Sequence, residues 1–204
     1  MMKYIFPSII TVFLALFFTG CNNDKLKLNS NQMNTTYYTQ VNMWYQDKAT
    51  LSDASNDKMN NSLGEFAKYT TYSTNYSYGT LLPLNSEVKI TYLDRNIIFF
   101  KYNEKIFAVK RTGHSKHISL EGIFKRTFAT QKISLDKYDA ATQQKILNGE
   151  VKENMSKEEI ILSRGYPPEH RTRSLDLNTW FYWKTKSNKI ALSFQDNKLI
   201  SIKD

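Results

Sequence analysis

The 204-residue chain holds one cysteine, three histidines, four prolines and seven glycines, and each scarcity excludes something. A lone cysteine, Cys21, forbids an intramolecular disulfide and any multi-cysteine zinc or iron–sulfur site. Seven glycines argue against a glycine-rich phosphate cradle, and there is no Gly-x-Ser-x-Gly elbow to present a nucleophile. With three histidines, a serine would depend on the fold bringing His and a carboxylate to it. No apolar run reaches the roughly 20 residues of a membrane-spanning helix. Aromatic residues (14%) and positive charge (formal net +9) are plentiful, with 41% hydrophobic residues. Those proportions fit one or two small domains with a buried core, and not a collagen-like, mucin-like or coiled-coil chain.

The first twenty residues read as an export signal. Lys3 supplies a positive start, and Ile5 to Phe18 form a mostly apolar run of 14 residues. The run ends at Phe18-Thr19-Gly20-Cys21, with small residues where a signal peptidase needs a narrow fit. This stretch resembles the lipobox of bacterial lipoproteins, with Phe18 in place of the usual Leu. The resemblance implies that Cys21 is lipidated on sulfur and becomes the acylated first residue. Each buried acyl CH₂ contributes about 0.8 kcal/mol, so two or more chains anchor stably. The alternative is an ordinary signal peptide followed by an idle thiol. Asn22, not Asp, follows the cysteine, which by the same resemblance implies the outer membrane, with the chain facing the periplasm.

Texture divides the rest. Residues 21–36, rich in Asn, Lys, Ser, Gln and Thr, bury little and read as a lipidated, flexible tether. Residues 37–134 read as an antiparallel β-rich domain, with a helix or a poorly ordered lead-in up to about residue 64. Tyr69, Tyr72, Tyr76 and Tyr78 among Thr and Ser favour strand. Val88, Ile90 and Tyr92 alternate with polar residues, and 97–102 and 106–110 follow across short turns, as a meander. Residues 118–128 fit a helix or a strand. Residues 135–147 read as a helix stopped by Asn148-Gly149, and Ser156 with Glu159 forms a capping box. Gly165 is placed to end that second helix in the left-handed conformation, ahead of Pro167 and Pro168. Strands follow at 179–183, 190–194 and 199–202, the last two joined through Asp196-Asn197.

Four short motifs of the last third, in order, carry a family resemblance: Met155-Ser156-Lys157-Glu158-Glu159, Gly165-Tyr166-Pro167-Pro168, Trp180-Phe181-Tyr182-Trp183, and Leu192-Ser193-Phe194 with Asp196-Asn197-Lys198-Leu199. Together they resemble the BamE/SmpA/OmlA domain of outer-membrane lipoproteins, over roughly residues 136–204. Asn154 departs from the family's usual Gly, and His170, Arg171 and Arg173 crowd the loop after Pro168. The expected fold class is α+β: the antiparallel β-rich domain, then a BamE-like ααβββ domain over 135–204 with two helices on a three-stranded antiparallel sheet. The resemblance implies a non-enzymatic, protein-binding scaffold in envelope integrity or outer-membrane protein assembly. The same fold also serves proteins that inhibit β-lactamases, so fold alone does not give the job.

Candidate residues follow. Trp180 and Tyr182 share one face of a strand, and Phe181 and Trp183 the other; one pair packs inward, and the other is either open to a partner, with Arg171 and Arg173 alongside, or covered by the N-terminal domain. Nine Lys/Arg against three Asp/Glu between Asp94 and Lys132 make a basic stretch. Lys101, Lys105, Lys110, Arg111, Lys125 and Arg126 are its candidates for anionic lipid or lipopolysaccharide, the other reading being a solvated face. Export argues against nucleic acid. His114 and His117 have metal-ligand spacing, but Gly113 and Ser115 favour a loop and no ligand set surrounds them. No catalytic residue, metal or cofactor is expected; the third reading, an enzyme acting on the cell wall or its precursors, needs a fold that clusters His114 or His170 with a carboxylate in a deep pocket.

Overall fold

The computed structural model describes residues 26–47, 67–74, 77–185 and 187–204. The export signal, Cys21, residues 48–64 of the proposed lead-in and Tyr76 lie outside the described residues. From Leu26 the expected tether gives way to packed chain. Asn29 and Gln32 close a capping box around helix α1 (Ser30–Asn34). Leu26, Leu28 and Met33 lie against the main core.

Eight strands make the large sheet: β1 (Thr36–Thr39), β2 (Met43–Asp47), β3 (Tyr69–Tyr72), β4 (Thr80–Leu82), β5 (Glu87–Asp94), β6 (Ile97–Tyr102), β7 (Lys105–Lys110) and β8 (Phe128–Ala129). Their spatial order is β4-β2-β3-β7-β6-β5-β1-β8. The β5–β6–β7 meander forms where alternation placed it, with Val88 and Ile90 turned inward. A register shift between Ile90 and Tyr92 interrupts the alternation, and Tyr92 stands exposed instead of continuing the inward row. Central strand β6 is apolar on both faces: Ile98 and Phe100 join the main cluster, while Ile97 and Phe99 meet Ala67 and Ala108 behind the sheet. Residues 118–128 resolve into both elements weighed for them, a Ser119-capped helix α2 (Leu120–Thr127) running into β8.

The α+β arrangement of an antiparallel β-rich domain followed by a small BamE-like ααβββ domain is corrected by this topology. The described residues make a mixed α/β fold built on a large, curled eight-stranded sheet, with four short helices among them. Strand β3 runs parallel to β7, so the sheet is mixed. Strands β1 and β2 come from the polar segment before residue 48, which local pattern left without strands. Both errors have one cause: pairings such as Thr36 with Lys89 or Tyr69 with Phe107 join residues far apart in sequence, and side-chain periodicity reports only local geometry.

The C-terminal elements are helices α3 (Ala140–Leu147) and α4 (Lys157–Arg164), and strands β9 (Thr179–Trp183), β10 (Lys189–Gln195) and β11 (Lys198–Lys203) in a separate sheet. Ser156 and Glu159 make the reciprocal cap of α4. Gly165 ends α4 with φ +82 and ψ −179, so the backbone is extended rather than left-handed helical, in a region open essentially to glycine. Ile146, Ile160 and Leu162 pack on Trp180, Tyr182, Ile190 and Leu192. Leu84, from the large-sheet half, belongs to the same cluster, and Ile161 and Tyr166 reach back to the main core.

Candidate functional site

Strand β9 decides which aromatic pair is available. Trp180 and Tyr182 are fully buried beneath the helices, and the Tyr182 hydroxyl donates to the Gly165 carbonyl at 2.9 Å. Burial raises the Tyr182 pKa far above the ordinary tyrosine value, outweighing the nearby Arg164 charge that pulls it down. This pair is core, so its candidacy as a partner anchor is withdrawn. Phe181 and Trp183 point the other way and are half-buried.

The outward face is assembled by strand register. Phe181 lies opposite Ala191, which lies opposite Lys203; Thr179, Ser193 and Ser201 form the next row, and Trp183 faces Lys189. Short side chains in the middle make a low-relief surface with the two rings along one edge. The Phe181 amide donates to Thr172 Oγ1 at 2.9 Å, which ties the 171–173 segment to the edge of β9. Arg171 and Arg173, on either side of Thr172, are exposed. The Arg171 guanidinium sits 5.8 Å from the Trp183 ring centre, and the Lys189 ammonium 5.9 Å from that of Phe181. Cations over both rings favour an acidic or otherwise electron-rich partner.

The six basic candidates do not form one free patch. Lys101 pairs with Glu104, Lys125 with Glu121 at 2.7 Å, and Arg126 with Glu169 at 2.6 Å. Arg111 donates to the Ser115 and Lys116 carbonyls. Lys105 lies over the Tyr69 ring, at the opposite end of β7 from Lys110. Partial burial lowers the Lys110 pKa. Spread over β6, both ends of β7 and α2, with three of the six paired to carboxylates and Arg111 bonded to backbone carbonyls, they do not make one free anion-binding surface.

Sequence reasoning missed the contact between His114 and His170. A single 3₁₀ turn, Gly113–Ser115, carries His114, and its ring stacks on His170 at 4.4 Å between centroids. His170 in turn stacks on Trp183 at 6.0 Å and 15°. Nothing local announces this column, since its members come from the turn after β7, the loop after Gly165, and β9. His117, three positions from His114, is exposed and outside the column. Among the described residues no group of three His, Cys, Asp or Glu is placed to hold a metal ion.

Beside the column runs a cleft of about 50 Å³, lined by Tyr72, Ser73, Ser115, Arg126, Tyr166 and Glu169 among others. Small-molecule sites run to roughly 300–1,000 Å³, so this cleft suits a few waters. Its nearest carboxylate, Glu169, is held by Arg126, which also covers the Tyr166 ring at 4.7 Å. Ser73 and Ser115 hydrogen-bond to each other at 2.8 Å, and the Ser73 oxygen also accepts from the Thr112 amide.

Among the described residues no helix is long and apolar enough to cross a membrane. No family model matches the chain, no curated protein matches it, and no solved structure matches its fold.

Proposed function

We propose that this chain is a lipid-anchored protein of the bacterial outer membrane that works by docking an envelope protein rather than by catalysis. The observation that carries the docking half is the outward face of β9–β10–β11, where Phe181 and Trp183 stand beside short residues and carry Arg171 and Lys189 over their rings. Half-buried aromatics with cations at their edge are the residue types that dominate binding energy at protein interfaces. The anchoring half rests on the sole cysteine standing where the apolar run stops. The four motifs that resemble BamE/SmpA/OmlA lipoproteins point to an assembly or integrity partner in the same envelope, although the fold around them is a different one.

The test is affinity purification of the tagged chain from intact envelopes, beside a Phe181→Ser/Trp183→Ser variant. Envelope proteins enriched by the parent and lost from the variant support the reading. Equal recovery by both, or no enrichment by the parent, contradicts it.

A further inference from the structure

The His114–His170 contact joins two parts of the chain that share no strand pairing. His114 sits on the turn that follows the large sheet's β7, and His170 on the loop between α4 and β9. The rings lie nearly parallel, 27° apart at 4.4 Å, and Trp183 closes the far side of His170. Both ring nitrogens of His170 are inaccessible, and neither has a hydrogen-bond partner among the described residues. A neutral imidazole tolerates that setting. An imidazolium brings two N–H donors that need partners and a charge that needs solvent or a counter-ion.

The charged surroundings offer that imidazolium little relief. On its own loop stand Glu169 and Arg171; the carboxylate is held by Arg126 of α2, and Arg171 is cationic. On the turn stand His114 and Lys116, with Arg111 bonded back to the turn's carbonyls. Trp183 on β9 is uncharged. We infer that the stacked His114 and His170 rings form a pH-sensitive latch turned by His170: with His170 neutral, the stack holds the post-Gly165 loop to the turn after β7; with His170 protonated, its two N–H groups find no partner and its charge meets Arg171, and the contact opens. Burial first, then His114 and Arg171, lower the His170 pKa, in line with this geometry.

The sign follows from linkage. His170 takes its proton less readily folded than unfolded, so its contribution to stability is full above the ordinary histidine value of about 6.5 and is lost as pH falls through the lowered value. The inference concerns contacts within the chain and stands whether or not the β9 face docks a partner.

The test is thermal unfolding of the full chain from about pH 7.5 down to about pH 5, with His170→Phe alongside, since a phenyl ring keeps the stack and cannot be protonated. The parent should lose several degrees of melting temperature on acidification and the variant clearly less, with the two alike near neutrality. Parallel profiles overturn the latch. Should the variant fail to fold, histidine ring NMR of the parent decides. A His170 titration that carries the His114 ring and Trp183 indole signals with it supports the latch. Titration of His170 with the His114 and Trp183 signals unmoved overturns it.

Discussion

Asn42 and Ile146 stand 104 positions apart, and the Asn42 side-chain amide donates to the Ile146 carbonyl at 2.5 Å. The same amide donates to the Ser163 carbonyl at 3.1 Å, and its oxygen accepts from the Leu84 amide at 2.6 Å. The Asn42 backbone amide also donates to the Leu162 carbonyl. A fully buried side chain between β1 and β2 thus bolts α3 and α4 to the large-sheet half. Truncation leaves several buried polar groups unpaired, at about 1–3 kcal/mol for each such group and not additively. Asn42→Ala should therefore destabilise by about 3 kcal/mol, seen as a melting point lower by roughly 6–12 °C. A shift within about 2 °C, the size of a neutral surface change, would deny Asn42 that role.

Neighbouring residues on β9 should behave oppositely. Trp180→Ala removes a fully buried indole and should cost about 3–5 kcal/mol, with loss of partner capture following from unfolding. Phe181→Ser should change stability by less than about 1 kcal/mol while weakening capture. Chemical denaturation of both variants, paired with envelope pull-down, separates core from contact surface.

Tyr182 gives the fold an alkaline limit. Its pKa is raised in the folded state, chiefly by burial, so its stabilisation is complete below the ordinary tyrosine value of about 10 and declines as pH climbs past it, where the unfolded chain ionises first. Absorbance titration near the phenolate band should show a tyrosine that ionises only on unfolding. Tyr182→Phe should soften the alkaline decline and cost about 1 kcal/mol near neutrality, through the lost hydrogen bond to Gly165. An unchanged alkaline profile would contradict this assignment.

What was legible in the sequence was local. Val88 and Ile90 alternate within a few residues, Ser156 and Glu159 cap within one turn, and Asp196 and Asn197 take positive φ in the β10–β11 turn, so each wrote its geometry into adjacent positions. The parallel pairing of Tyr69 with Phe107 had no local signature, and strands β1 and β2 were hidden because half their residues are polar. Asn42 looked like one more polar residue in a polar stretch, and its burial is set by carbonyls from two distant helices. At the candidate site, period-two alternation correctly divided Trp180 and Tyr182 from Phe181 and Trp183, but which pair faced inward depended on where α3 and α4 packed. Charge counting overstated the basic stretch because it ignored pairing: Lys101 and Lys125 are held by Glu104 and Glu121 within the stretch, and Arg126 by Glu169 from outside it. His114 and His170 came together through tertiary contact alone.

The most direct measurement is metabolic labelling with radiolabelled palmitate in a bacterial host, with Cys21→Ala beside the parent and the envelope fractionated. Label on the parent, absent from the variant, with the parent in the outer-membrane fraction, is the predicted result. An unlabelled parent, or one recovered with the cytosol, would contradict the anchored docking protein proposed here.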